Sequence, residues 1–257
     1  KWTFASSTEV GYREPLVSGD VLYVGTETEI KRFDLMGTEL SRLSPLNNTI
    51  FLTAGVDGRV ISSNISGEIV AFNADGTVRR RLDIFSVPTA PARGIDLDAD
   101  QCTVHYASDN RLARWNSCTG ERPVVFPQAW ARPPGFGHAL RRIDGGRFLV
   151  TYLSDIALLD GSGAVIRTYG IPGQPLALDL NGRSFWTGVS GTLVKVSIET
   201  GQIEQLVHTG QAVLWLSVVG EPRAALGGSA AAIPTLSAVG FFCVIAGLGL
   251  VALVRLR

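Results

Sequence analysis

The sequence predicts an all-β fold, a β-propeller of four-stranded antiparallel blades followed by one C-terminal transmembrane helix. Three observations carry that expectation. A glycine returns about every 41 residues after a strand-like run, a second series of tight turns keeps step with it, and the C-terminus is a long apolar stretch without charge.

The recurring glycines are Gly37, Gly76, Gly120, Gly163 and Gly201, at intervals of 39, 44, 43 and 38 residues. Each follows an alternating run: Ile30-Lys-Arg-Phe-Asp34, Ile69-Val-Ala-Phe-Asn73, Leu112-Ala-Arg-Trp-Asn116, Ile156-Ala-Leu-Leu-Asp160 and Leu193-Val-Lys-Val-Ser197. The second turns are Gly19-Asp20, Asp57-Gly58, Asp100-Gln101, Asp144-Gly145 and Asn181-Gly182, and each stands just before a different β-rich run. Gly, Asp and Asn tolerate the positive φ that tight hairpins demand. Two hairpin turns per unit give four antiparallel strands, which is the size and build of a propeller blade. Such a small sheet cannot bury both faces alone, so neighbouring blades stack around an axis.

Five full blades are expected over residues 10–43, 47–83, 93–127, 138–170 and 174–208. Two strands are left over, Lys1-Trp-Thr-Phe-Ala5 and Ala212-Val-Leu-Trp-Leu-Ser-Val-Val219. An outer strand from the N-terminus and an inner one from the C-terminus can share a sixth blade that lacks its middle strands. Six blades are favoured, with five as the alternative.

The repeat resembles bacterial propellers of the NHL and SMP-30/gluconolactonase-like group. The resemblance rests on Gly94-Ile-Asp-Leu-Asp-Ala-Asp-Gln-Cys-Thr-Val-His-Tyr106 leading to Arg114-Trp-Asn-Ser-Cys118, and on Ser184-Phe-Trp-Thr-Gly188 followed by Val194–Gly201. The first blade, from Leu22-Tyr-Val-Gly-Thr26, is similar to pyrroloquinoline-quinone-type repeats. These likenesses span about residues 10 to 210. They imply a fold far more than an activity.

Charge excludes one class of partner. With 23 basic and 23 acidic residues the chain is neutral, and its arginines and lysines are scattered. Arg79-Arg80-Arg81 is the sole basic triplet and falls in an expected outer strand, so no nucleic-acid surface is predicted. Asp96, Asp98 and Asp100 alternate, but an EF-hand loop begun at Asp96 needs Gly and Glu where Gln101 and Ala107 stand. Turn capping is their expected role. Histidines 105, 138 and 208 lie in separate blades without zinc-ligand spacing. Asp179 and Glu14 fall near inner strands, where a lactonase-type enzyme would hold a divalent metal, but no full ligand set can be assembled. No catalytic, cofactor or metal residue is assigned.

Of three cysteines, Cys102 and Cys118 flank two strand-like runs around Ser108-Asp109-Asn110. In a hairpin centred on Asn110 they oppose each other, within disulfide range. Such a bridge suits an oxidising compartment. Cys243 falls in the apolar tail.

From Leu236 to Val254 there are 19 residues without charge, about the length of a membrane-crossing helix. Arg255 and Arg257 follow and favour the cytoplasmic side. Ile233, Pro234, Thr235, Leu236 and Gly240, the apolar run and the basic end together resemble the IPTL-CTERM class of sorting tails in Gram-negative bacteria. That resemblance implies processing by an exosortase-type membrane peptidase. Ala238 and Val239 stand where the class carries an acidic residue and Trp. The expected divisions are therefore a propeller over 1–220, a Gly/Ala-rich linker over 221–232 and a sorting signal over 233–257.

An exported chain needs a signal peptide, and this one starts at Lys1, so a leader is expected to have been removed. The functional expectation is a non-enzymatic binding module at the envelope or outer surface, held at least transiently in the inner membrane, with a protein or glycan ligand. The alternative is a metal-dependent lactonase-like hydrolase with its site on the propeller axis.

Overall fold

The repeated glycines do what their spacing predicts. Gly37, Gly76, Gly120, Gly163 and Gly201 all have positive φ, between 74° and 96°. That region costs other L-residues about 1–2 kcal/mol, so glycine marks the third hairpin corner of every blade. Two turn types share this device. In blades one, two and four the glycine N–H bonds back to Asp34, Asn73 or Asp160, three residues earlier; in blades three and five it reaches Asn116 or Ser197, four residues earlier. Asp34 also accepts from the N–H groups of Met36 and Thr38 through its side chain, which fixes the corner.

The computed structural model describes residues 2–4, 15–43, 49–64, 67–83, 94–108, 111–121, 123–129, 139–152, 155–172, 175–210, 212–218, 221–222, 239–245 and 250–256. After an N-terminal strand β1 (Trp2–Phe4), five sheets follow, each of four consecutive antiparallel strands. The first holds β2 (Pro15–Ser18), β3 (Val21–Gly25), β4 (Ile30–Asp34) and β5 (Glu39–Leu43). The second holds β6 (Thr49–Ala54), β7 (Val60–Asn64), β8 (Glu68–Phe72) and β9 (Val78–Asp83). The third holds β10 (Ile95–Leu97), β11 (Thr103–Ser108), β12 (Arg111–Asn116) and β13 (Val124–Ala129). The fourth holds β14 (Ala139–Ile143), β15 (Arg147–Thr151), β16 (Ile156–Leu159) and β17 (Val165–Thr168). The fifth holds β18 (Leu176–Leu178), β19 (Ser184–Val189), β20 (Thr192–Ser197) and β21 (Ile203–His208). Four fall inside the blade limits read from the sequence, and the third overruns its limit of residue 127 by two, because β13 ends at Ala129.

Burial grades outward across each sheet. Strands β7 and β16 are buried throughout, while β9, β17 and β21 are almost wholly exposed. Arg79-Arg80-Arg81 lies in outermost β9, as the pattern predicts. Trp115 and Trp186 are the largest fully buried side chains, each filling space between sheets. Full burial of a large apolar side chain contributes about 1.5–3 kcal/mol. Stacking of blade on blade is therefore the main source of stability.

The innermost strands meet in a ring: β2 touches β6, β6 touches β10, β10 touches β14 and β14 touches β18. The strand β22 (Val213–Val218) fills the gap, in contact with both β18 and β2. Two more strands, β23 (Val239–Ile245) and β24 (Leu250–Leu256), continue its sheet, and β1 pairs on β24 as the outermost strand. The sharing of one sheet by both chain ends follows the expectation. Its middle strands, expected to be missing, come from the tail.

That placement corrects two expectations. The helix over Leu236–Val254 is not formed: the stretch holds β23 and most of β24, and no helix among the described residues is long and apolar enough to cross a membrane. The propeller also extends past residue 220, the boundary read from the sequence. The physical reason lies in composition. Val239, Phe241, Phe242, Val244, Ile245, Val251 and Val254 are β-branched or aromatic and fit a pleated sheet, and short apolar runs do not reveal their state by periodicity. Without them, β22 would leave an edge of unpaired backbone groups.

The disulfide between Cys102 and Cys118 is present, with Cα atoms 5.2 Å apart. Its register differs by one residue from the reading above. Ser108 pairs with Arg111 and Thr103 with Asn116, so Cys102 faces Ser117, whose N–H and hydroxyl both donate to the Cys102 carbonyl. Cys118 stands one residue further, in the corner that Gly120 closes. The bridge therefore joins two turns at one end of the blade.

Candidate functional site

An inner strand must turn some side chains toward the axis, and those positions decide what a propeller can do at its centre. Here Leu16 from β2, Leu52 and Thr53 from β6, Asp96 from β10 and Arg141 from β14 line a pocket with Glu221 and Pro222, which follow β22. The cavity measures about 10 Å³, the space of one water.

Its charges are already engaged. Arg141 donates from Nε to Glu221 at 2.8 Å, and both side chains are less than a tenth exposed. Glu221 also accepts the Leu178 N–H at 2.7 Å, tying β18 to the segment after β22. Asp96 accepts the Arg142 N–H at 2.7 Å and the N–H of its neighbour Leu97, and lies 3.3 Å from the Thr53 hydroxyl. The Val17 N–H donates to Ser217, which ties β2 to β22. Side chains thus stitch inner strands to one another around the centre. Burying each group is tolerable because each has a partner.

The three alternating aspartates do three different things. Asp96 belongs to the axial stitching. Asp98 sits at the next turn, where His105 Nε2 at 3.0 Å and Arg142 Nη1 at 3.1 Å hold its carboxyl below the usual range. Asp100 caps the corner by accepting from the N–H groups of Cys102 and Thr103 and from the Thr103 hydroxyl. Burial alone would raise its carboxyl, and these hydrogen bonds outweigh that and lower it. Turn capping holds for Asp100, but the three carboxylates do not share one role.

Asp179 does not reach the pocket: Lys195 Nζ lies 2.8 Å from it, and Glu204 lies 3.8 Å from the same amine. His105 is buried between Phe126 and Phe148. His208 meets the Thr192 hydroxyl on an outer strand. Glu14, His138, Ile233, Pro234, Thr235, Leu236 and Arg257 lie outside the described residues. Gly240 and Arg255 are register partners across β23 and β24, and Cys243 faces Leu216 and Ala252. No group of three or more His, Cys, Asp or Glu that could hold a metal occurs among the described residues.

Sequence reading missed Arg141 and Glu221. A signal existed: Arg141-Arg142 interrupts an inner strand that is otherwise apolar, and Glu221 is the first charge after the last inner strand. An arginine forced toward an axis needs a carboxylate nearby.

A ring of four-stranded sheets around a stitched axis defines the class as a β-propeller. Solved structures agree. The chain is similar to "Crystal structure of WD40 beta propeller domain of Doa1", with TM-score 0.67 and 18% identity, over 91% of this chain and 74% of that one. It is similar to "Streptogramin B lyase structure", with TM-score 0.68 and 11% identity over 100% and 87%. It is also similar to the Cps50 (Swd1) β-propeller domain of Myceliophteria thermophila, with TM-score 0.65 and 12% identity over 99% of both chains. At these identities the likeness shows fold alone. No family model matches the chain, and no curated protein does.

Proposed function

We propose that this protein is a binding propeller of the Gram-negative envelope, working through its loops and faces rather than through a catalytic centre. One observation carries that reading. The axial carboxylates Asp96 and Glu221 are consumed by Arg142 N–H and Arg141, and the space beside them is about 10 Å³. A substrate the size of a lactone finds no enclosed space beside these carboxylates, which favours contact with a partner at the blade corners.

Export is supported by the Cys102–Cys118 disulfide, which forms and persists in oxidising compartments. The charge-free run over residues 236–254 and the Ile233–Gly240 motif support transient anchoring and cleavage by an exosortase-type peptidase. The ligand class proposed is a protein or a glycan. No nucleic acid, cofactor or resident metal is part of the reading.

Two measurements test it. Titration with calcium, manganese and zinc, followed by assay against a panel of lactones, should give no metal-dependent turnover. Turnover abolished by Asp96→Asn would replace this reading with the lactonase-like one. Intact masses of the protein from membrane and medium should differ by the tail if processing occurs. Identical full-length masses in both would remove the peptidase.

A further inference from the structure

Blades two and four treat their following neighbours alike. Arg59 and Arg147 hold the same place, immediately before Val60 and directly before Phe148, which pair with Phe72 and Leu159 at the ends of β8 and β16. Arg80 and Arg167 also match, paired with Ala71 and Leu158. Each pair of arginines grasps a five-residue corner in the next blade. In blade five, Arg147 Nη1 lies 2.8 Å from the Glu199 carboxylate and Arg167 donates to the Thr200 carbonyl at 2.9 Å. In blade three, Arg59 Nη1 lies 3.5 Å from Cys118 Sγ and Arg80 Nε donates to the Cys118 carbonyl at 3.2 Å. Glu199 and Cys118 stand two residues before Gly201 and Gly120, so the cysteine occupies the position of a carboxylate.

The surroundings of the two cysteines therefore differ in charge. Cys118 faces Arg59 and the nearby Arg80. Asp57, 2.6 Å from Arg59, offsets part of that charge but leaves a guanidinium nitrogen on the sulfur. Cys102 lies beside Asp100, whose carboxylate accepts its N–H at 2.8 Å. Negative charge is favoured on Cys118 and disfavoured on Cys102.

We infer that this disulfide is a polarised thiol-exchange site, at which a small external thiol attaches to Cys102 and Cys118 leaves as a thiolate held by Arg59. The step balances. The thiolate of the incoming thiol attacks Cys102 Sγ and forms a new S–S bond, while the Cys102–Cys118 bond breaks and its electron pair stays on Cys118. A second external thiolate then attacks the external sulfur of the mixed disulfide and releases Cys102, which takes a proton. Two cysteines have been reduced by two electrons, and two small thiols have become one disulfide. The direction follows from the rule that the better-stabilised thiolate leaves faster.

The probe is 2-mercaptoethanol, whose only charge is that of the attacking thiolate itself. Full-length oxidised protein is exposed to it briefly, quenched in acid, alkylated and peptide-mapped. The adduct should sit on Cys102 over Cys118 by about tenfold. Arg59→Gln should bring the ratio toward one, and Arg59→Lys should keep most of it. An equal distribution, or an excess on Cys118, in the unaltered protein overturns the proposal. A second reading uses fully reduced protein and iodoacetamide across pH: Cys118 should begin to react at lower pH than Cys102, and coincident profiles overturn the proposal too.

Discussion

Gly94 lies where β10 passes close to β14, and its freedom is needed twice. Its φ is +131°, and an added Cβ would stand 2.9 Å from the Ala139 carbonyl carbon and the Leu140 nitrogen, both backbone atoms. Neither can swing aside as a side chain can. Gly94→Ala should cost at least about 1–3 kcal/mol from the backbone conformation alone, with the contact adding more. Urea unfolding should show it, whereas Gly146→Ala, at a φ of +71° nearer the left-handed region and with open space around it, should cost less. Two ionisable residues contribute to the pH dependence in opposite senses. Asp98 is held low by His105 and Arg142, so its contribution is present above about pH 4, the ordinary carboxylate value, and disappears as pH falls through its lower folded value. Tyr169 is the opposite case: burial pushes its phenol up to about 12, while its hydroxyl donates to the Ile198 carbonyl at 2.7 Å. Its stabilisation is complete below about pH 10 and is lost as pH rises toward 12. Tyr169→Phe should lower stability at pH 7 yet flatten the alkaline decline, read from melting curves between neutral and alkaline pH. An unchanged alkaline slope would mean that another group drives it.

At the scale of strands and turns, the sequence was legible wherever a corner needs a particular backbone. The five repeat glycines mark one hairpin in each of five blades, and Gly19, Gly58, Gly145 and Gly182 mark another in four of them, because positive φ leaves few residue choices; in the third blade Gln101 takes that place. The apolar stacking of neighbouring blades was legible, but the polar clasps between them were not. Arg59, Arg80, Arg147 and Arg167 look like ordinary solvated residues in the chain, and only the sheet-to-sheet geometry brings them to the corners of the next blade. The disulfide was found for a reason that was one residue wrong: symmetry about Asn110 put Cys118 opposite Cys102, whereas the register puts Ser117 there. A bond between a strand end and a turn tolerates that slip, since the Cα atoms remain 5.2 Å apart. The two clasps should differ in strength. The Arg147–Glu199 pair is largely solvated, with Glu199 65% exposed, so a double-mutant cycle to alanine should give less than about 1 kcal/mol. Replacing Cys102 and Cys118 together with alanine should cost up to about 3 kcal/mol, because the crosslink restricts the unfolded chain. If both costs were equal, the bridge would be relieving no more than a surface contact, and its entropic account would fail.

For the molecule as a whole, closure of the ring and the proposed anchoring compete for the tail, because it cannot occupy two places at once. In the structure β23 and β24 pair with β22, and β1 locks the outside of that sheet. A run of the same residues is also long enough to enter a bilayer, and backbone groups there must be satisfied internally, so insertion would require leaving the sheet. Register makes the two states separable by chemistry. Phe4 and Val251 are direct partners across β1 and β24, and opposed positions in an antiparallel pair suit a disulfide. Phe4→Cys with Val251→Cys, in a Cys243→Ser background, should crosslink in protein whose ring is closed by the tail. Protein recovered from the membrane with its tail inserted should leave both thiols free. Ala246→Arg should shift the population toward the crosslinked form, since a charge at the centre of a membrane span costs about 2.5–3.5 kcal/mol. Pro234→Ala precedes the apolar run and should leave that balance alone while retaining the tail, if the motif is a cleavage signal. A crosslink absent from every fraction would mean that β1 does not close the ring, and the five blades would have to hold their circle through β22 alone.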